Sequence, residues 1–493
     1  MPISQSPEIL ICVVAYLACC FGIGVWALRR TRSAADFFVA GTSLGPVVMT
    51  IATMASIMSG FGFVGGPGLV YESGTSSLWI TFPATIGFAL SWVLLGKRLR
   101  LLAETREILT LPDVVAARYG GRAPRLAMAA ALVLGVIGYL GTQVLAVGVV
   151  LVAVLGVSLP AALLIGLGVL AFYTVGGGIL AGVYNDVFQG VVMMIASLAV
   201  LFYALVAGGG MEQISRTLWT MDPKFIGPWG ARGPMAALSW YLIFGLGWMG
   251  QPHGITKFLM LREVGGLRWG ALLTGSVYMV CSLLWMSIGL AMRSVVQTGG
   301  QPPLAAPDLA APVFLMNYTP PLVAGVVFAG LLAAIMSTAN SFLNIGAAAL
   351  VRDLPLAWGG KAPRHELGWS RVATVVLLAV SALFALYMEN LVALLGAFGW
   401  GTFAAAIVPP VAIGMNWKRA TGAGCVASIL ASLVLNFSLE LASRHGVYTL
   451  PYGMNVGCFS LLVSLIVFIG VSWLTGRGAE DRLAPEVRAV LEV

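Results

Sequence analysis

Apolar runs long enough to cross a bilayer recur along the whole chain, and this recurrence limits the possible folds more than any other feature. The runs cover residues 9–28, 44–71, 78–95, 127–155, 161–174, 186–207, 238–260, 270–292, 322–351, 372–388, 391–415, 422–441 and 455–474. About twenty apolar residues in a helix span the hydrocarbon core of a membrane. The run at 161–174 is short, and 186–207 begins on a polar residue. Only 9% of the 493 residues are charged, against 59% apolar, whereas a soluble domain carries about 25% charge. So little charge cannot cover a water-facing surface. In lipid the backbone must satisfy its own hydrogen bonds, which helices do, and the 61 glycines suit close helix approach. The chain is predicted to be an all-α integral membrane protein with about thirteen transmembrane helices.

Lysine and arginine orient it. All 27 basic residues except Arg216, Lys224, Arg232, Arg293 and Arg444 fall in one set of inter-run segments or at their margins, Lys257 among them. The positive-inside rule makes that side cytoplasmic. In a cell inner (plasma) membrane the N-terminus is then outside and the C-terminus inside, as an odd number of spans requires. The first run is too long for a signal peptide and lacks a basic start, so it is expected to be retained. No soluble domain is expected, since the Gly- and Pro-rich segments 208–237 and 293–321 read as ordered loops or short helices. The net charge of +8 comes from scattered residues with no basic stripe, which argues against nucleic acid. All six cysteines lie in apolar runs without a CxxC pair, and His253, His365 and His445 are dispersed, so neither disulfides nor a transition-metal site is expected. The partners to expect are lipid, a small solute and a coupling ion. No organic cofactor or obligatory protein partner is indicated.

One pattern occurs twice, Gly60-x-Gly62-x-x-Gly65-x-Pro67 and Gly245-x-Gly247-x-x-Gly250-x-Pro252. Glycine weakens a helix, and proline removes a donor and clashes with the preceding turn. Such a break survives in a membrane only where the freed backbone lines a cavity. The two copies are five spans apart, an odd number, so they run in opposite directions. Paired interruptions in two halves point to an inverted-repeat transporter. Small residues at this spacing also serve packing alone. The first copy matches the dinucleotide fingerprint, but no strand precedes it.

Asp36-Phe-Phe-Val-Ala-Gly41, Ala55-Ser-Ile-Met-Ser-Gly60, Gly65-Gly-Pro-Gly68, Asn185-Asp-Val-Phe-Gln189, Gly250-Gln-Pro-His253 and Ala333-Ala-Ile-Met-Ser-Thr338 together resemble the sodium:solute symporter family, notably its proline and pantothenate branches. The resemblance implies a LeuT-like core of five plus five inverted helices, with repeats at 43–208 and 237–416. One peripheral helix and loop would precede the core at 1–42, and two peripheral helices and a tail would follow at 417–493. It also implies sodium-coupled import of a small organic solute by alternating access, the solute being an amino acid such as proline or a monocarboxylate such as pantothenate.

Residue by residue, the resemblance implies a sodium ion held by the carbonyls of Ala55, Met58 and Ala334 and the hydroxyls of Ser337 and Thr338. Several neutral oxygens suit a hard monovalent cation. In some members an aspartate matching Asp186 helps bind a further sodium with residues matching Ser337, Asn340 and Ser341. Asp186 reads equally well as a helix cap, and Ser337 and Thr338 could back-bond to their own helix. By position beside the breaks, Ser59, Gly60, Phe61, Tyr139, Gln143, Phe244, Trp248 and Gln251 are the candidate solute contacts. Free amides at a half-helix N-terminus would favour a carboxylate, and some of the aromatics would simply pack. No buried Arg or Lys is expected to clamp the solute. Ile57 stands where the proline branch has an aspartate, and Gln251 where the pantothenate branch has leucine. A receptor or channel on the same scaffold is the alternative function. An enzyme is not expected, since no span holds paired acids or a nucleophile with its base.

Overall fold

The computed structural model describes residues 6–30, 46–261, 264–388, 392–481 and 483–493. The 36–41 motif, the first residues of the runs at 44 and 391, and Arg32, Arg262 and Arg482 lie outside the described residues. Each of the thirteen apolar runs is built on helix. Among the described residues, ten helices are long and apolar enough by themselves to cross a membrane, and Val47–Ile57 and Leu159–Val175 are shorter apolar helices.

The helices sort by burial. In the most apolar stretch of Val392–Ile413, 94% of residues are buried, and 83% in that of Pro321–Gly359, against 28% in both Pro7–Leu28 and Gly422–Arg444. The first two form the centre. The last two expose Leu10, Ile11, Val14, Leu430 and Val434, outer faces that only lipid can solvate. The intervening segments carry short helices, Met211–Met221 in one and Ala310–Tyr318 in the other.

The two repeated motifs break their helices at different registers. In the first, α-helix Pro46–Ile57 stops, Met58 and Ser59 leave the helix, and a π-helical turn Phe61–Gly65 leads into Gly66–Ser73. The break precedes the glycines, which serve close packing. A Cβ on Gly62 or Gly66 would lie 2.8 Å from Trp285, and one on Gly65 would lie 2.6 Å from the Ala393 nitrogen. In the second, Gly233–Gly245 tightens into a 3-10 stretch Leu246–Gly250, Gln251 is extended, and Pro252–Ile255 restarts the helix. Here the glycines themselves are the break. Pro252 sits in the first turn of its restarted helix, where the missing N–H costs nothing, whereas Pro67 follows directly on the π-helical turn.

The runs at 161–174 and 186–207 belong to Leu159–Ala207, kinked at Gly178, whose φ of 54° and ψ of −143° suit only glycine. Asp186 lies about two turns beyond that kink. It is inside a helix, so the capping role is ruled out.

The segment before Pro321–Ala348 is tied to the centre by a carboxylate. Asp308 Oδ2 accepts the Val392 N–H at 2.9 Å, at the start of Val392–Ile407. Gly68 makes room, since a Cβ there would lie 2.7 Å from the Pro307 carbonyl oxygen. Burial pushes the Asp308 carboxyl up to about 6, opposed by the Val392 amide and reinforced by the charge of Glu72. The folded value exceeds the unfolded one of about 3.9, so the folded state holds this proton more tightly. The contribution to stability is full below about pH 4 and is lost as pH rises through about 6. Asp308→Asn keeps an acceptor for Val392 and removes the titration. From pH 4.5 to 7.5 the wild type should lose up to about 2 kcal/mol relative to this variant, seen as a widening gap in melting temperature in detergent. A gap constant with pH would show that Asp308 does not titrate in this way.

Candidate functional site

A helix that ends inside a membrane leaves its last carbonyls without partners, and its C-terminus carries partial negative charge. Pro46–Ile57 ends this way against the middle of Pro321–Ala348. There Ser337 Oγ lies 2.8 Å from the Ala55 carbonyl and 3.2 Å from that of Ala334. Thr338 Oγ1 lies 2.8 Å from the carbonyls of both Ser56 and Met58. All five expected sodium ligands are therefore brought together, and both hydroxyls reach across to the broken helix in addition to any back-bonding. Four carbonyl oxygens face two hydroxyls with one proton each, so acceptors exceed donors. This buried surplus of neutral oxygen suits a small hard cation without fixed charge.

Beside this cluster sits a buried ion pair. Ser56 Oγ donates to Asp186 Oδ2 at 2.8 Å and lies 3.1 Å from Ser341 Oγ. Lys257 Nζ donates to the same Asp186 oxygen at 2.7 Å and to the Ala52 carbonyl at 3.0 Å. Lys257 is only 1% exposed, although its sequence position groups it with the cytoplasmic basic residues. Lys257 is thus a buried lysine, but its hydrogen bonds go to Asp186 and Ala52, neither of them a candidate solute contact. Asn340 is buried close to the helix backbone at Gly182, where a Cβ would lie 2.0 Å from its Nδ2. Its amide has no protein partner. Asp186, Ser341 and Asn340 thus share one neighbourhood, but a cation of the protein's own already stands in it.

The eight candidate solute contacts are all buried. Ser59 Oγ lies 3.1 Å from the Tyr139 hydroxyl. Phe61 stacks on Phe244 at 5.5 Å, and Trp400 lies between Phe244, Trp248 and Tyr139 at 5.1, 5.5 and 6.5 Å. Trp248 is held by two neighbours. Its Nε1 donates to Ser91 Oγ at 3.1 Å, and its ring meets Phe88 edge-on at 4.2 Å. The Gly60 amide is not free for a carboxylate, because Gln143 Oε1 accepts it at 2.9 Å. That bond orients the Gln143 amide and leaves its Nε2 unpartnered. Gln251 is held the opposite way. Its Nε2 donates to the carbonyls of Gly247 and Trp400, each at 3.1 Å, leaving Oε1 unpartnered. One spare donor and one spare acceptor remain beside an aromatic cluster.

Sequence reasoning missed Trp400, Ser56, His253 and Lys257 at this site. His253 packs 4.5 Å from Phe342 and 6.2 Å from Tyr139, with neither ring nitrogen bonded to protein. Lys257 carried the clearest signal, an ionisable residue within the apolar run 238–260.

A profile of the sodium:solute symporter family matches residues 37–432. The sodium/pantothenate symporter of Escherichia coli (strain K12) is 29% identical over 94% of this chain and 95% of its own length. The osmoregulated proline transporter OpuE of Bacillus subtilis (strain 168) is 28% identical over 97% and 96%. A solved Na+-coupled sialic acid symporter, in a substrate-bound outward-open state, superposes with a TM-score of 0.75 at 18% identity, covering 96% of this chain and 98% of that one. That likeness carries the fold, LeuT-like and all-helical.

Ser337→Ala and Thr338→Ala each delete one oxygen from the cluster without changing helix or packing volume much. Each should raise the half-saturating sodium concentration about tenfold, a loss of about 1.4 kcal/mol, with little change in folded yield. Sodium titration of intrinsic fluorescence in purified protein is the measurement. Wild-type affinity in both variants would move the ion elsewhere.

Proposed function

The chain belongs to the sodium:solute symporter family, and from that premise we propose that it imports a small carboxylate-bearing solute together with sodium held where Pro46–Ile57 breaks. It is a multi-pass membrane transporter and not an enzyme. The observation that carries the ion site is the facing of Ser337 and Thr338 against the Ala55, Ser56 and Met58 carbonyls at 2.8 Å. A cation bound to these oxygens, with Ala334 completing the set, would join the broken helix to Pro321–Ala348. Ion occupancy is thereby linked to the shape of the break, and the break also presents Ser59, Gly60 and Phe61 to the solute.

The solute site is proposed beside Tyr139, Gln143, Phe244, Gln251 and Trp400. The free Gln143 Nε2 would donate to a carboxylate, and the free Gln251 Oε1 would accept from an amine or hydroxyl. The aromatic rings would cover the apolar body. The names of the relatives, proline and pantothenate transporters, fit this donor and acceptor pair, since proline offers an amine and pantothenate hydroxyls. The inverted repeats are assigned to 43–208 and 237–416. The N-terminus is proposed to lie outside and the C-terminus in the cytoplasm, in the plasma membrane. A receptor or channel reading has no observation in its favour.

Each sodium crossing 100 mV supplies about 2.3 kcal/mol, and a tenfold gradient about 1.4. Together they support roughly 500-fold accumulation of a neutral or zwitterionic solute per ion. Proteoliposomes should accumulate radiolabelled proline electrogenically, or pantothenate, whose negative charge offsets one sodium, without net current, with uptake of either lost when choline replaces sodium. Accumulation of either compound to the same level in both salts would defeat the symporter reading. Gln143→Ala should raise the KM for the transported compound about tenfold, about 1.4 kcal/mol, while sodium affinity in the absence of solute holds. An unchanged KM would take Gln143 out of the solute site.

A further inference from the structure

Resting on that symporter reading, the structure assigns Lys257 a role of its own: its ammonium is a tethered cation that fills the position beside Asp186, so that the protein carries one sodium and not two.

The two charges are buried as a unit, with the Asp186 side chain fully inaccessible and that of Lys257 1% exposed. A carboxylate at membrane depth needs a cation or several donors. Asp186 Oδ2 has both, the Lys257 ammonium at 2.7 Å and the Ser56 hydroxyl at 2.8 Å. Lys257 in turn donates to the Ala52 carbonyl, within the last turns of the helix whose C-terminal end faces the sodium cluster. A mobile sodium at Asp186 would have to bind at Oδ1, which has no protein partner, with a fixed positive charge already on the other oxygen of the same carboxylate. Like charges in a low-dielectric site repel strongly, and removing the lysine from the pair is costly. The pair is thus already neutral, and Asp186 has no electrostatic need to recruit an ion.

The arrangement also links three elements. Lys257 extends from the second broken helix, Ala52 lies on the first, and Asp186 on the kinked helix Leu159–Ala207. Ser56 connects the pair to the ion cluster directly, since its hydroxyl bonds Asp186 while its carbonyl faces Thr338 Oγ1. Lys257 and Ser341 both line a cleft that continues past Asn344 to Thr110 and Asp353. Lysine, like an ion, holds the two broken helices together, but it stays with the protein through every cycle.

The test counts bound ions, with 22Na+ alone as the probe and purified full-length protein in detergent. Saturation binding should give one sodium per wild-type chain. Lys257→Met, which exposes Asp186 to an empty cation position, should bind two. The double variant D186N/K257M deletes both charges and avoids an unpaired buried carboxylate. It should fold and bind one. Two ions on the wild type, one on Lys257→Met, or two on the double variant would each overturn the inference while leaving symport intact. Should Lys257→Met fail to fold, the wild-type and double-variant counts still decide. No sodium on the wild type would instead overturn the symporter reading itself.

Discussion

Unwinding a helix in a membrane leaves carbonyls that water cannot reach, and the centre of this molecule is arranged around that problem. The end of Pro46–Ile57 offers Ala55 and Ser56, and Met58 just beyond it, to Ser337 and Thr338. Because each hydroxyl has one proton to give, these carbonyls are under-supplied. At the proposed sodium site a small cation would complete them, and its departure would leave them to the hydroxyls alone, so that the strain of the interrupted helix would depend on the ion. Most neighbouring features serve to keep this junction narrow. Glycines allow Trp285 and Ala393 to press against the restarted helix, and Tyr173 donates from its hydroxyl to the Met336 carbonyl at 2.7 Å on the adjacent turn.

Charge is used sparingly around the junction. Fixed charge appears as a complete pair, Asp186 with Lys257, and the ion cluster next to it has none of its own. Away from the junction, buried charge occurs again where Arg125 bridges Asp113 at 2.6 Å and Asp353 at 3.3 Å. There Asp113 caps Leu111–Tyr119 through a reciprocal box with Thr110, and Thr110 Oγ1 donates to Asp353 Oδ1. These bonds join the helices on one side of the centre without lining the solute site.

The glycine motifs illustrate how a single sequence pattern carries two structural meanings. Both copies were legible as weak points in their helices. In the first copy, however, the glycines lie in continuous helical turns against large side chains, and the break falls one step earlier at Met58 and Ser59. In the second copy they form the break. The neighbours differ in part. Trp285 fills the space over Gly62 and Gly66, whereas Gly65 faces the close backbone of Ala393 much as Gly247 and Gly250 face Ala404. Local propensity says only that a helix is easily deformed, and packing decides whether and where it is.

Sequence alone determined the class of molecule. Scarcity of charge and the length of apolar runs admit only membrane helices, and runs of residues such as Ala333 to Thr338 carried the family resemblance and the five candidate ion ligands. These properties are local, so they survive without coordinates. The tertiary structure decided the rest. Lys257 looked like a loop-facing cation, and only the approach of Leu159–Ala207 to the second broken helix turned it into the partner of Asp186. Asp186 read equally well as an ion ligand or a helix cap until the kink at Gly178 set the helix start well before it. The Gln143 and Gln251 amides acquired opposite orientations from the Gly60 amide and the Trp400 carbonyl. Each of these depends on contacts between residues far apart in the chain, and a side chain's protonation, orientation and exposure follow from its surroundings, not from its neighbours in sequence.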